Sequence, residues 1–212
     1  IRKFGYHSCS HWNVGDTLAR MSPPERRVVS VHLGSGGSVC ALDSGKSVWV
    51  GSGLTPEDGV MMGTRPGSFD PSIILLMQEE FGMTPRQVHD AILKESGLLG
   101  IGGSQDMREL KEWADKGVEP AVLAIELFIR MATEQIAIAL AKLKYRVDAI
   151  AFTAGIAEMA PWMRARICET FEPTGFRINP SANDRAVRTT MRISHQDSKG
   201  VYVVETDEER KI

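Results

Sequence analysis

Cysteine is scarce, charge is balanced, and no long apolar run occurs. The three cysteines, Cys9, Cys40 and Cys168, are odd in number and widely spaced. They form neither a disulfide framework nor a CxxC metal or redox pair, and read as three reduced thiols. With 25 Lys+Arg against 27 Asp+Glu the formal net charge is −2, which gives no overall pull toward nucleic acid or an anionic membrane surface. No uninterrupted apolar stretch approaches the ~18–20 residues that a membrane span requires. The opening Ile1-Arg2-Lys3-Phe4 has no apolar signal core, so a cytoplasmic origin is expected. It has no initiator Met either, which suggests that the chain starts partway through something larger.

Apolar residues make up 42% of the 212, enough for a sizeable single core and against disorder. Glycine is abundant and uneven. Nine of the 20 glycines fall between Gly34 and Gly67, and four more between Gly97 and Gly103. Such clusters mark backbone that turns tightly or approaches a ligand closely.

The β-branched run Arg26–Leu33 predicts a buried strand, leading through Gly34-Ser35-Gly36-Gly37 into a second strand over 38–42. Asp43-Ser44-Gly45 reads as a turn into a third strand over Lys46–Val50. Leu54–Pro71, with three Pro and three Gly, predicts an extended functional loop. Helices follow. Asp70-Pro71 suggests an N-cap with Pro at the first helical position, and Thr84-Pro85 repeats the device for a helix through Lys94. A third helix is expected over 104–116, capped by Ser104 or Asp106. The apolar set Val122, Ile125, Phe128, Ile129, Ala132, Ile136, Ala139, Leu140 and Leu143 predicts a long packed helix over Glu119–Leu143. A buried strand over Val147–Phe152 leads into Thr153-Ala154-Gly155, then a helix from near Pro161 to Phe171, and strand-like pieces at 192–194 and 201–205. This order indicates an α/β or mixed α+β chain forming one domain.

Each candidate motif has an ordinary reading beside the functional one. The strand–GSGG–strand turn is either a tight hairpin or an anion nest of backbone N–H groups; it is not a Walker A loop. Strand–TAG–helix is either a common βα turn or a flat seat for a ring or ribose. Gly100–Arg108 is either a capped helix start or one that offers N–H groups to a nucleotide. Arg65 in Gly63-Thr64-Arg65 is either a surface cation or an oxyanion clamp. His7 and His11 lie four apart, but nothing nearby completes a metal site. His89 and His195 read as structural or solvated. Taken together, glycine turns at strand ends and one Arg loop in a near-neutral α/β chain suggest a nucleotide-phosphate site.

Six stretches carry a more specific signal: FGYHSCSH (4–11), HLGSGGS (32–38), LTPEDGVMMGTRPGSFDP (54–71), SGLLGIGGSQDMR (96–108), AIAFTAGIAE (149–158) and TDEE (206–209). In order and spacing they resemble the motifs of the acetate kinase family. The resemblance implies an actin/sugar-kinase-like (ribonuclease H-like) α/β fold, a mixed sheet flanked by helices. It implies transfer of the ATP γ-phosphoryl group to acetate or another short-chain carboxylate, giving an acyl phosphate and ADP, with Mg²⁺ or Mn²⁺. By motif position, Arg65 would clamp carboxylate and phosphoryl, His7 would hydrogen-bond the phosphoryl, and Glu208 would help hold the metal. His32 with Gly34, Ser35, Gly36 and Gly37 would meet the ATP phosphates. Asp106, Met107, Arg108, Gly155 and Ile156 would contact the adenosine, and Tyr6 and Pro56 would wall the acyl pocket. A homodimer is implied as well.

Several positions depart from the family pattern: Ser8-Cys9 for Gly-Thr, Ser35 for Asn, Pro66 and Ser68 after the arginine, Ala157 and Met159 in the TAG motif, and Tyr6 for Phe. They fall on the nucleotide and acyl sides, while Arg65, His7 and Glu208 are kept. Family members are roughly double this length, and their N-terminal half supplies an Asn, an Arg and an Asp to the site. Residues 1–212 are therefore expected to be the C-terminal nucleotide-binding domain with the N-terminal domain absent. Other readings are a propionate or butyrate kinase of the same family, or an ATP-binding or dimerisation module without turnover.

Overall fold

A computed structural model describes residues 5–207. The order of elements is α1 (Ser8–Ala19), β1 (Arg27–Leu33), β2 (Gly37–Asp43), β3 (Lys46–Val50), α2 (Ser72–Glu79), α3 (Pro85–Lys94), α4 (Gly97–Gly102), α5 (Met107–Asp115), α6 (Glu119–Lys142), β4 (Ala149–Thr153), α7 (Gly155–Met159), α8 (Pro161–Glu169), α9 (Pro180–Arg185), β5 (Met191–Arg192) and β6 (Gly200–Val203). A single 3₁₀ turn, Glu172–Thr174, precedes α9.

The strands form one six-stranded mixed sheet in the order β3-β2-β1-β4-β6-β5. β1, β2 and β3 are an antiparallel meander, whereas β4 pairs parallel with β1 and β6 parallel with β4. This is the mixed, helix-flanked α/β arrangement expected of an actin/sugar-kinase-like domain. The parallel strands end together: His32 pairs with Thr153, and Phe152 with Val203. In open α/β sheets such a carboxyl edge is the usual ligand crevice.

Period-two alternation sorts β1 into two faces. Val29, Val31 and Leu33 join the larger core, which packs beneath α6 through Ala121, Ala124, Ile125, Phe128, Ile129, Ala132 and Ile136. Val28 faces the other way, into a smaller cluster with Val14 and Leu18 of α1, Cys40 and Leu42 of β2, and Ala149, Ala151 and Tyr202. The same face carries Ser30, His32 and Ser38, all buried. Thus α1 covers apolar residues at one end of the sheet and a polar cluster at the other.

Several expectations require correction. α1 was not anticipated: its apolar residues are few and it includes Gly15 and Thr17, so it owes its order to docking on the sheet rather than to propensity. Pro71, not Asp70, is the N-cap of α2; Asp70 Oδ1 instead accepts from Ser72 N at 2.9 Å. α5 begins at Met107, because Gly103–Asp106 is taken up by a turn in which Ser104 Oγ accepts from Asp106 N at 3.0 Å. The glycine run before it forms α4, and α7 and α9 were likewise unforeseen. Val122 is 38% exposed, outside the buried stripe of α6. Thr84 does form a capping box with Gln87.

Candidate active site

The polar end of the α1 face is the floor of the site. His7 precedes α1 in a left-handed backbone conformation, φ 56° and ψ 29°, which is uncommon for a non-glycine residue and frequent at functional positions. Its ring stacks on His32 with centroids 4.1 Å apart, and its Nδ1 lies 3.0 Å from Ser38 Oγ. His32 Nδ1 lies 2.8 Å from Ser10 Oγ. His11 bridges Ser30 Oγ (2.8 Å, from Nδ1) and Ser38 Oγ (2.7 Å, from Nε2). Burial, then the neighbouring His7, pushes the pKa of His11 down to about 3. Burial, then His7 and His11, does the same for His32, also to about 3. Both rings are neutral at physiological pH.

Arg65 reaches the same point from the loop before α2. The irregular segment between β3 and α2 is pinned to the start of α4 by Leu98 N to Met62 O and Leu99 N to Gly63 O. Gly97, at φ +64°, makes this approach possible: a Cβ there would lie 2.3 Å from Met62 O and 2.8 Å from Arg65 N. Arg65 Nη1 donates to Pro56 O at 3.4 Å, and Tyr6 Oη donates to Leu54 O at 3.1 Å. Tyr6 and Arg65 are therefore both tied to the segment 54–56.

His7 and Arg65 meet at Gly36. A Cβ on Gly36 would lie 3.1 Å from His7 Nε2 and 3.4 Å from Arg65 Nη2. Three features coincide at this point: bare backbone, an imidazole nitrogen and a guanidinium. That donor set suits phosphoryl or carboxylate oxygens. Gly34 continues the wall, its Cβ position 3.5 Å from Ala154 Cβ and 3.7 Å from His32 Nε2, while Ser35 is exposed at the tip.

The other wall begins at the end of β4. Glu158, 5% exposed, accepts through Oε1 from Ala154 N (2.9 Å), Thr206 N (3.0 Å) and Thr206 Oγ1 (2.7 Å). One carboxylate oxygen thus ties the start of α7 to the segment after β6. Gly155 borders open space, and Ile156 is partly buried against the larger core. Arg164 in α8 is wholly buried and braces α7 from behind. Its Nη1 donates to the carbonyls of Ala157 (2.6 Å) and Glu158 (2.8 Å), its Nη2 to those of Asn183 (2.8 Å) and Ala186 (2.9 Å), and its Nε to Asn183 Oδ1 (2.8 Å). Desolvation lowers its pKa to about 10, so it stays cationic.

Asp106, Met107 and Arg108 open α5. Asp106 Oδ1 accepts from Arg108 N as the N-cap and its carboxylate pairs with the exposed Arg108 guanidinium. That pairing holds the Asp106 pKa down to about 2. Met107 is different: its side chain packs in the core at 6% exposure. These three adjoin the Arg65 loop through Gln105, which backs Gly63. Glu208, the expected metal ligand, lies outside the described residues. Among the described residues no group of three or more His, Cys, Asp or Glu is placed to hold a metal ion, and no helix is long and apolar enough to cross a membrane.

Sequence reasoning missed Ser10, His11, Ser30, Ser38, Glu158 and Arg164. A usable signal existed for two of them, Ser30 and Ser38. Polar residues at alternate positions of otherwise apolar strands, level with His32, indicate a polar face inside the sheet.

The model of the acetokinase family matches residues 1–212. The chain is similar to the acetate kinase of Dictyoglomus turgidum, 38% identical over all of this chain and 53% of the relative. It is similarly close to the propionate kinase of Citrobacter rodentium, 40% identical over all of this chain and 53% of the relative. Among solved structures, Porphyromonas gingivalis acetate kinase superposes with a TM-score of 0.93 at 32% identity, covering 99% of this chain and 53% of that one. A propionate kinase from Francisella tularensis superposes at 0.90 with 37% identity, covering 99% and 54%. The chain spans about half the length of the curated relatives it matches.

Proposed function

The chain belongs to the acetokinase family, and from that premise we propose that its intact protein transfers the γ-phosphoryl group of ATP to acetate or a similar short-chain carboxylate. The observation that carries this reading is the meeting of His7 Nε2 and the Arg65 guanidinium over Gly36.

A carboxylate is already nucleophilic at neutral pH, so the site needs no strong base. One carboxylate oxygen forms a bond to the γ-phosphorus as the bond to the β-phosphate oxygen breaks, leaving an acyl phosphate and ADP. The transition state is loose, with charge spread over the equatorial phosphoryl oxygens, and catalysis is chiefly positioning and charge stabilisation. Arg65 presents a planar fork to carboxylate and phosphoryl oxygens together. His7 adds a hydrogen bond through Nε2 at the same point. The Gly34–Gly37 turn lets phosphates approach the backbone, and His32 stacks beneath His7 to fix its plane. Asp106, Arg108, Gly155 and Ile156, with the Met107 backbone, are assigned to the adenosine side. Tyr6 and Pro56 are assigned to the acyl side. Mg²⁺ would supply charge neutralisation between the phosphates, with Glu208 as its assigned ligand.

We further assign residues 1–212 to the nucleotide-binding half, with the remaining acyl-site groups supplied by a second domain, and the whole to a homodimer. The exposed apolar side chains of α2, with Leu75 56% and Leu76 49% exposed, are available for burial in such an assembly.

The test is Arg65→Ala in the full-length enzyme, assayed for acyl phosphate with acetate, propionate and butyrate side by side. A loss on the order of 10³-fold is expected. Near-native turnover in the variant would overturn the assignment, and the ranking of the three acceptors identifies the substrate.

A further inference from the structure

A neutral imidazole has one N–H, and its position decides whether the ring gives or takes a hydrogen bond at a given edge. At His7 the edge that matters is Nε2, beside Gly36 and Arg65. Its other nitrogen belongs to a buried chain of contacts: Ser30 Oγ to His11 Nδ1 at 2.8 Å, His11 Nε2 to Ser38 Oγ at 2.7 Å, and Ser38 Oγ to His7 Nδ1 at 3.0 Å. Ser30 and Ser38 are 0% and 2% exposed, and His11 is 4% exposed.

Two proton arrangements satisfy His11. In the first, His11 donates from Nδ1 to Ser30, Ser38 donates to His11 Nε2, and His7 donates from Nδ1 to Ser38. The hydroxyl hydrogen of Ser30 is then left without an acceptor among the described residues, inside a fully buried site, where an unmade hydrogen bond is expensive. In the second, every hydrogen is used. Ser30 donates to His11 Nδ1, His11 Nε2–H donates to Ser38, and Ser38 donates to His7 Nδ1. The proton of His7 is then on Nε2.

We infer that Ser30, His11 and Ser38 form a buried tautomer lock that makes His7 an Nε2–H donor toward the site. The three are positioning residues: the side-chain atoms nearest the Gly36 Cβ position belong to His7 and Arg65, and the three act only through the orientation and proton of His7. The neighbouring pair repeats the design. Ser10, 1% exposed, has His32 Nδ1 as its partner at 2.8 Å, so its hydroxyl donates there and His32 carries its proton on Nε2, which faces Gly34. Both stacked imidazoles therefore aim N–H groups at the glycine turn. A phosphoryl oxygen, which only accepts, is the partner such a surface fits. The catalytic consequence, though not the lock itself, rests on the proposed function.

The experiment uses the full-length protein with ¹⁵N-labelled histidine and long-range ¹H–¹⁵N correlation, which distinguishes protonated from bare ring nitrogens. The expected result is Nε2–H with bare Nδ1 at both His7 and His11. Ser38→Ala removes the donor to His7, and a mixed His7 tautomer is expected. With it, kcat for acyl phosphate formation falls on the order of ten- to a hundredfold while KM for ATP is unchanged. Ser38→Thr, which keeps the hydroxyl, is expected to restore both readouts. An Nδ1–H tautomer at His7 in the native protein overturns the lock, as does a Ser38→Ala protein with native His7 tautomer and native kcat. If Ser38→Ala does not fold, the native spectrum and Ser38→Thr still decide. Native tautomers as expected in a protein that phosphorylates no carboxylate would uphold the lock and reject the proposed function.

Discussion

Replacing Arg164 by methionine is expected to cost the chain a large share of its stability. Methionine keeps the length and apolar stem of the side chain but none of its donors. All five guanidinium N–H groups are used, on the carbonyls of Ala157, Glu158, Asn183 and Ala186 and on Asn183 Oδ1. The Ala157 and Glu158 carbonyls lie in the last turn of a short helix, where no further turn supplies N–H partners. Orphaning each buried acceptor costs about 1 kcal/mol or more. Removing a desolvated cation recovers part of its burial cost, which leaves a net loss of about 3–5 kcal/mol. For a domain of this size that is on the order of 10 °C in melting temperature, against a total stability of about 5–15 kcal/mol. Lysine should rescue only part of the loss, because its three donors cannot reproduce the planar fork. Urea unfolding followed by circular dichroism measures both variants. A methionine variant within about 1 kcal/mol of native, at the same m value, would refute the argument that this arginine satisfies the helix ends.

Two further predictions concern the site. His11 and His32 have folded pKa values of about 3 against 6.5 in the unfolded chain, so the unfolded state binds protons first. Stability is therefore full above pH ~6.5 and is lost as pH falls toward 3, with a slope approaching about 2.7 kcal/mol per pH unit when both rings titrate. Urea midpoints measured from pH 7 to 5, above the range where carboxylates protonate, should fall steadily; a flat profile would contradict the neutral, buried assignment. Gly36→Ala places a methyl 3.1 Å from His7 Nε2 and 3.4 Å from Arg65 Nη2 at a position with no positive φ. Phosphoryl transfer should fall on the order of a hundredfold with an unchanged thermal melt, and full activity would mean that the substrate oxygens sit elsewhere.

Parts of this molecule are legible in the sequence for plain reasons. β1 and β2 are near-continuous apolar runs separated by glycines. Thr84-Pro85 announces a helix start, and α6 repeats its apolar residues at helical spacing. The rest depends on tertiary context. α1 holds His7, Ser10 and His11 but has weak helical preference, and α4 is a helix half made of glycine that forms because it packs against Met62 and Gly63. The same division holds in the site. Arg65, His7 and the glycine turn stand out by motif, whereas the Ser30–His11–Ser38 chain joins residues 19 and 27 positions apart that only strand pairing brings together. Arg164 looks from its sequence like one more helix-surface cation. Its role depends on α7 and α9 both ending against it.

The two faces of β1 also act as an error check on folding. A register slip of one residue would turn Val29 and Val31 toward His7 and His11 and force Ser30 and His32 into the apolar layer under α6. Both mistakes carry a penalty at once, the stranded hydroxyl and imidazole on one side and the displaced valines on the other. The pairing that buries the valines is therefore the pairing that assembles the polar cluster. A molecule that has acquired its core has, by the same hydrogen bonds, aligned its polar floor.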